Sequence, residues 1–220
     1  MIQHQYPSGV ARALIRLDEA GLLTGESAQA NFNAVVQHQN PYAVAGALTT
    51  LHDADLLTGD SAQANRDAVA QHQIPYVVAT TLTILHRASL LTGDSAQANR
   101  DAMVQHQDPR SVQSALHTLN YAGLLRSESA QANFNAVVQH QDPMAVADTL
   151  ITLHRAALLT GESAQANHDA VAQHQDPGGV ADTLTTLQYA SEELKNDWSL
   201  RAAAMVRIEP ELTSHFQKTK

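Results

Sequence analysis

The sequence predicts an all-α fold, a right-handed α-solenoid of 34-residue helix-turn-helix repeats with a divergent C-terminal cap. The repeat period, its division into two helical segments and the composition predict it. The pentad Ser-Ala-Gln-Ala-Asn starts at Ser27, Ser61, Ser95, Ser129 and Ser163, each 34 residues after the last. Gln-His keeps the same step at His4, His38, His72, His106, His140 and His174, and proline does so at Pro7, Pro41, Pro75, Pro109, Pro143 and Pro177. Each period also divides into two helical segments joined by a short turn. Finally, 44% of the residues are hydrophobic but only 4% are aromatic. Such a core is built from Ala, Val and Leu, which suits closely packed helices.

The elements follow in order. Residues 1–6 read as the tail of a preceding partial repeat, because Gln3-His4-Gln5 matches the end of a second helix. The chain is therefore expected to be a fragment of a larger protein. Five repeats follow at 7–40, 41–74, 75–108, 109–142 and 143–176. In the unit 41–74, Val44, Ala47, Leu48, Leu51 and Ala54 make one apolar helical stripe. Asn40, Asp108, Asp142 and Asp176 stand just before a proline, the pattern of an N-cap with Pro at the first helical position. After Leu56-Leu57, Thr58 is expected to cap a second helix from about Gly59 to Gln71 or Gln73, with Asp60 in its first turn. Ala62, Ala68 and Val69 line its narrow apolar side, near Asn65 and His72. Helices of about a dozen residues are marginal alone, so burial between neighbouring pairs must stabilise them. Residues 177–220 are read as a divergent repeat and cap, with Trp198, Leu200, Ala203 and Met205 in a replacement helix and Pro210 opening another.

Composition excludes several functions. The 220 residues carry a formal net charge of −9, which opposes binding driven by phosphate neutralisation. Absence of cysteine excludes disulfides, Cys-ligated zinc and a thiol nucleophile. No apolar run reaches membrane-spanning length, and no secretory signal opens the chain.

Twelve histidines invite a metal-site reading, but equivalent residues of stacked repeats lie about 8–10 Å apart, whereas zinc takes ligands at about 2 Å. The ladder histidines are expected to bond carbonyls at helix ends or in the adjacent repeat. His52, His86 and His154 share a position held elsewhere by Asp18, Asn120 and Gln188, which reads as exposed. Ser27 and its equivalents lack a nucleophile-elbow turn, and Asn31 and its equivalents read as a buried hydrogen-bonding ladder. Gly25, Gly59, Gly93 and Gly161 lack a phosphate-loop ending. No acid, base and nucleophile converge. The expectation is no enzyme, no cofactor and no metal.

Comparison among the repeats shows where they differ. The residue after the pentad is Phe32, Arg66, Arg100, Phe134 or His168. The residue after the proline is Ser8, Tyr42, Tyr76, Arg110, Met144 or Gly178. A third position holds Glu19, Asp53, Arg87, Tyr121, Arg155 and Tyr189. Fixed positions are expected to pack and variable ones to face solvent. Aromatics and arginine dominate binding hot spots. The expected partner-binding residues are therefore Phe32, Tyr42, Arg66, Tyr76, Arg100, Arg110, Tyr121, Phe134, Met144 and Arg155.

The 34-residue helix pair is similar in design to tetratricopeptide repeats, without their Trp, Gly-Tyr and Phe landmarks. Leu-Thr-Gly-Glu before a helix also resembles the 34-residue DNA-reading repeats of plant-pathogen activators. Gln107-Asp108-Pro109 departs from their glycine loop, and the net charge opposes both these and pentatricopeptide RNA repeats. The phrase Ala13 to Thr24, then Asn31-Phe32-Asn33-Ala34-Val35, His38 and Pro41, resembles the α-helical repeats of effector proteins that intracellular bacterial pathogens inject into host cells. That likeness covers about residues 1–190. It implies a host-directed protein-interaction segment, often beside a separate catalytic domain, and no particular activity. Together with the missing catalytic constellation, this gives the expectation of a non-catalytic protein–protein interaction scaffold acting on a host protein, in the cytoplasm or secreted into the host cytosol. The alternatives are a nucleic-acid-binding array and a structural spacer or oligomerisation module, the latter self-associating through an uncapped N-terminal end.

Overall fold

The computed structural model describes residues 7–161 and 163–189. Among these the chain is all-helical and has no strand. First helices of the pairs are α1 (Pro7–Glu19), α3 (Pro41–Asp53), α5 (Pro75–Arg87), α7 (Pro109–Tyr121), α9 (Pro143–Arg155) and α11 (Pro177–Tyr189). Second helices are α2 (Ala28–Gln37), α4 (Ala62–Gln71), α6 (Ala96–Gln105), α8 (Ala130–Gln139) and α10 (Ala164–Gln173). The expected tail 1–6, and Trp198, Met205 and Pro210 of the expected cap, lie outside the described residues.

The chain divides into two compact units, one up to Met144 and one from Ala145. In the first, successive first helices pack on one another, α1 on α3, α3 on α5 and α5 on α7. Each of α2, α4 and α6 touches the first helix of its own pair and that of the next. In the second unit, α10 packs on α11.

The first helices start as their sequence dictates. Asn40 Oδ1 accepts the N–H of Ala43 at 3.1 Å, Asp108 Oδ1 that of Ser111 at 3.1 Å, and Asp176 Oδ1 that of Gly179 at 3.0 Å. Each satisfies a donor that the first turn leaves without a helical partner. At α5 the position holds Ile74, which makes no side-chain cap.

The helices end in a left-handed turn. The N–H of Leu22 reaches back to the carbonyl of Leu17 at 2.8 Å, and Leu56 to Leu51, Leu90 to Leu85, Leu124 to Leu119 and Leu158 to Leu153 do the same at 2.8–2.9 Å. This six-to-one bond requires positive φ at the residue before it. Gly21 and Gly123 supply it at φ 70° and 79°, but Asp55, Ser89 and Ala157 adopt φ 59°, 58° and 57° with a side chain.

This turn corrects the expected start of the second helix. Thr58 does not cap it. Its hydroxyl donates back to the Asp55 carbonyl at 3.0 Å, as Thr24, Thr92 and Thr160 do to Gly21, Ser89 and Ala157. The chain is still turning at Gly59 and Asp60, and α4 begins only at Ala62. Asp60 therefore precedes the helix rather than lying in its first turn.

Burial follows the predicted stripe except at Ala54, which is half-buried just past the end of α3. Val44, Ala47, Leu48 and Leu51 are fully buried, as are Val112, Ala115, Leu116 and Leu119. Each such leucine contributes about 1.5–3 kcal/mol. Thr81 stands where Ala47 does and is buried too, its hydroxyl donating to the Val77 carbonyl at 2.8 Å.

Candidate interaction surface

The second helix presents its pentad asparagine inward. Asn31, Asn65, Asn99, Asn133 and Asn167 are all buried. The side-chain N–H of each donates to the carbonyl of the leucine nine residues earlier, Leu22, Leu56, Leu90, Leu124 and Leu158, at 2.6–2.9 Å. The amide thus fastens the second helix to the turn leaving the first.

The next residue corrects the expectation that variable positions face solvent. Arg66, Arg100 and Phe134 are buried, as is His168. They lie inside the repeat stack, so these three candidates offer no free surface to a partner. Arg66 Nε donates to Asn31 Oδ1 at 2.8 Å and its Nη1 to Gln63 Oε1 at 2.7 Å. Arg100 repeats this with Asn65 at 2.9 Å and Gln97 at 2.7 Å. The Nη2 of each arginine is buried without a hydrogen-bond partner. Burial lowers both guanidinium pKa values, and the adjacent Asp67 and Asp101 oppose that shift. At the two arginine positions the guanidinium is thus a donor to the asparagine of the preceding repeat. Where phenylalanine stands, Gln131 takes over and exchanges two bonds with Asn99, at 2.8 and 2.9 Å.

The ladder histidines hold the loop between pairs. Nδ1 of His38 accepts the N–H of Asn40 at 2.9 Å, which leaves Nε2 to donate to the His72 carbonyl at 3.1 Å. His106 does the same with Asp108 at 2.9 Å and the His140 carbonyl at 3.1 Å. His72 Nδ1 accepts the N–H of Ile74 at 3.0 Å. Burial pushes the His72 pKa down and the neighbouring His38 adds to that, against a backbone hydrogen bond at Ile74 that raises it. His52, His86 and His154 are exposed. Among the described residues, no three His, Asp or Glu side chains gather as a metal site.

The remaining candidates fall into separate places. Tyr42, Tyr76 and Arg110 are exposed at the second residue of α3, α5 and α7, each beside a buried proline, and Met144 is half-buried at that position in α9. The Arg16 guanidinium lies over the Tyr42 ring, 5.5 Å from its centroid. Tyr121 and Arg155 are exposed at the opposite ends of α7 and α9, about 18 Å along a helix of this length. Phe32 is exposed on α2. The structure therefore groups Tyr42, Tyr76 and Arg110 as one row on neighbouring helices and separates them from Tyr121. Residue-type comparison overlooked Ile15, an exposed isoleucine on α1. Its equivalents Thr49, Thr83, His117, Ile151 and Thr185 mark the position as variable.

No helix among the described residues is long and apolar enough to cross a membrane. Comparison with known protein families, characterised proteins and solved structures gives no match to this chain.

Proposed function

We propose that this chain is a non-catalytic protein-interaction scaffold. In this reading its helix pairs stack as a right-handed α-solenoid, and a protein partner binds along Tyr42, Tyr76 and Arg110. The observation that supports this most is the exposure of those three side chains at the same position of successive packed helices, each next to a buried proline. Tyrosine and arginine supply large contact area at hot spots. Arg16 over Tyr42 already restricts one ring, which lowers the entropy lost on binding. The net charge of −9 disfavours nucleic acid as the partner. The likeness to effector repeats supports a host protein as the target and the host cytosol as the place.

The test is capture from eukaryotic lysate, read by mass spectrometry, with Tyr42→Ala/Tyr76→Ala/Arg110→Ala as the paired bait. All three side chains are exposed, so the variant should keep the parent's circular dichroism. A protein held by the parent and lost by the variant is the expected result. Equal capture by both, or capture of nucleic acid with steep salt dependence, would overturn the reading.

A further inference from the structure

Four side chains follow one another across the first helices of the first unit: Arg16, Tyr42, Tyr76 and Arg110. The last three are exposed at the second residue of α3, α5 and α7. Arg16 reaches them from α1. Its guanidinium lies over the Tyr42 ring and against Gly46, where an added Cβ would stand 3.2 Å from Nη1. No other repeat has an arginine and a glycine at these two positions, so the sequence makes room for this guanidinium once. Tyr42 and Tyr76 remain 51% and 58% exposed. Neither Arg16 nor Arg110 has a carboxylate partner among the described residues. The row is therefore a cation, two aromatic rings and a cation, on a chain whose net charge is −9.

Building on the scaffold reading above, we propose that this row binds a polyproline II segment with an acidic residue at each end, in the register acid-x-x-Pro-x-x-Pro-x-x-acid. The step of the row selects the conformation. Packed helices lie about 8–10 Å apart. A polyproline II helix repeats its face every three residues, about 9.3 Å, so one turn spans one rung. A strand repeats a face about every 6.7 Å and an α-helix about every 5.4 Å, so their successive side chains fall out of step with the rungs. One proline then packs on each tyrosine ring, as proline-rich segments do on aromatic surfaces. The tyrosine hydroxyls donate to peptide carbonyls, which polyproline II leaves without internal partners. Charge complementarity selects the ends. Asn40 and Ile74, before α3 and α5, are uncharged, and Asp108, before α7, already accepts the N–H of Ser111 at 3.1 Å. Arg16 and Arg110 are thus the charges that the two ends of the row offer, and a carboxylate complements each. Single-stranded RNA also stacks on aromatic and arginine side chains, but the net charge of −9 repels its phosphates.

The experiment is fluorescence anisotropy of the full chain with a labelled peptide, Asp-Ala-Ala-Pro-Ala-Ala-Pro-Ala-Ala-Asp. The parent should bind it, and Tyr42→Ala and Tyr76→Ala should each weaken binding about tenfold or more. Both side chains are exposed, so the variants should keep the parent's circular dichroism. Arg110→Glu should weaken binding by a similar factor. Of two peptides with Lys in place of one terminal Asp, one should restore it, which also fixes the peptide's direction. No binding by the parent at millimolar peptide would overturn the proposal. So would equal affinity for a peptide with one alanine inserted between the prolines, which means contact without register. Tighter binding of labelled decauridylate, lost in the same variants, would overturn it in favour of RNA. The scaffold reading fails separately: a lysate protein lost by the triple variant, with no peptide bound, would leave a protein partner of different chemistry.

Discussion

Arg66 and Phe134 occupy one position of the repeat, and both are buried. They solve the same local problem differently. The preceding asparagine needs a donor for its side-chain oxygen, supplied by Arg66 at 2.8 Å in one junction and by Gln131 at 2.8 Å in the other. A buried guanidinium carries a desolvation cost that an apolar ring does not. Arg66→Phe should therefore leave stability within about 1 kcal/mol or increase it, because Gln63 can take the role of Gln131. Arg66→Ala removes the donor without refilling the space and should cost about 1–3 kcal/mol. Urea midpoints of the two variants decide this; equal losses would show that the arginine's charge, not its volume, holds the junction. His72 makes a pH prediction at the same scale. Its pKa is lowered in the folded chain, chiefly by burial, so the unfolded chain binds the proton more readily. The stability it contributes is complete above the unfolded pKa of about 6.5 and is lost as pH falls through the lower folded value. Melting midpoints should drop on acidification from neutral pH, and His72→Gln should make that drop shallower. A midpoint that rises on acidification would contradict the assignment.

The helices succeed at their ends. Asn40, Asp108 and Asp176 cap their helices, but Ile74 leaves the start of α5 without a side-chain acceptor. Ile74→Asp should stabilise the chain by about 1 kcal/mol, since the backbone there already matches the capped sites. Ala157 sits at φ 57° in a turn where Gly21 and Gly123 stand in other repeats. Relief of that left-handed strain by Ala157→Gly should add roughly 1 kcal/mol. Thermal midpoints should rise for both, and a fall for either would place its backbone in a different conformation. The caps were legible in the sequence because Asp or Asn before Pro carries its own mechanism. The late start of the second helices was not. Thr58 has the chemistry of an N-cap, and only the bond geometry of the preceding turn directs its hydroxyl back to Asp55.

At the scale of the whole molecule, successive pairs touch mainly their neighbours in the first unit, so stability should behave as a sum of pairs and junctions. Deleting residues 75–108 brings one pair's end to the next pair's start in the same register. The shortened chain should keep its helical signal per residue and melt at a lower temperature; loss of the helical signal would mean that the pairs depend on distant contacts. The all-helical fold, the prolines that open the first helices and the buried leucine stripe were all determined by the sequence alone. Each follows from local rules, namely capping, the fixed φ of proline and a 3.6-residue period, and repetition at a constant step states them again and again. What only the tertiary structure decided was which variable residues are free. Variation marked Arg66, Arg100 and Phe134 as surface, yet they are buried, while Tyr42 and Tyr76 are exposed. Internal comparison detects that a position tolerates change but not what lies against it. The identical helices α2 and α8, with Phe32 exposed and Phe134 buried, show that burial belongs to the neighbour and not to the helix's own residues.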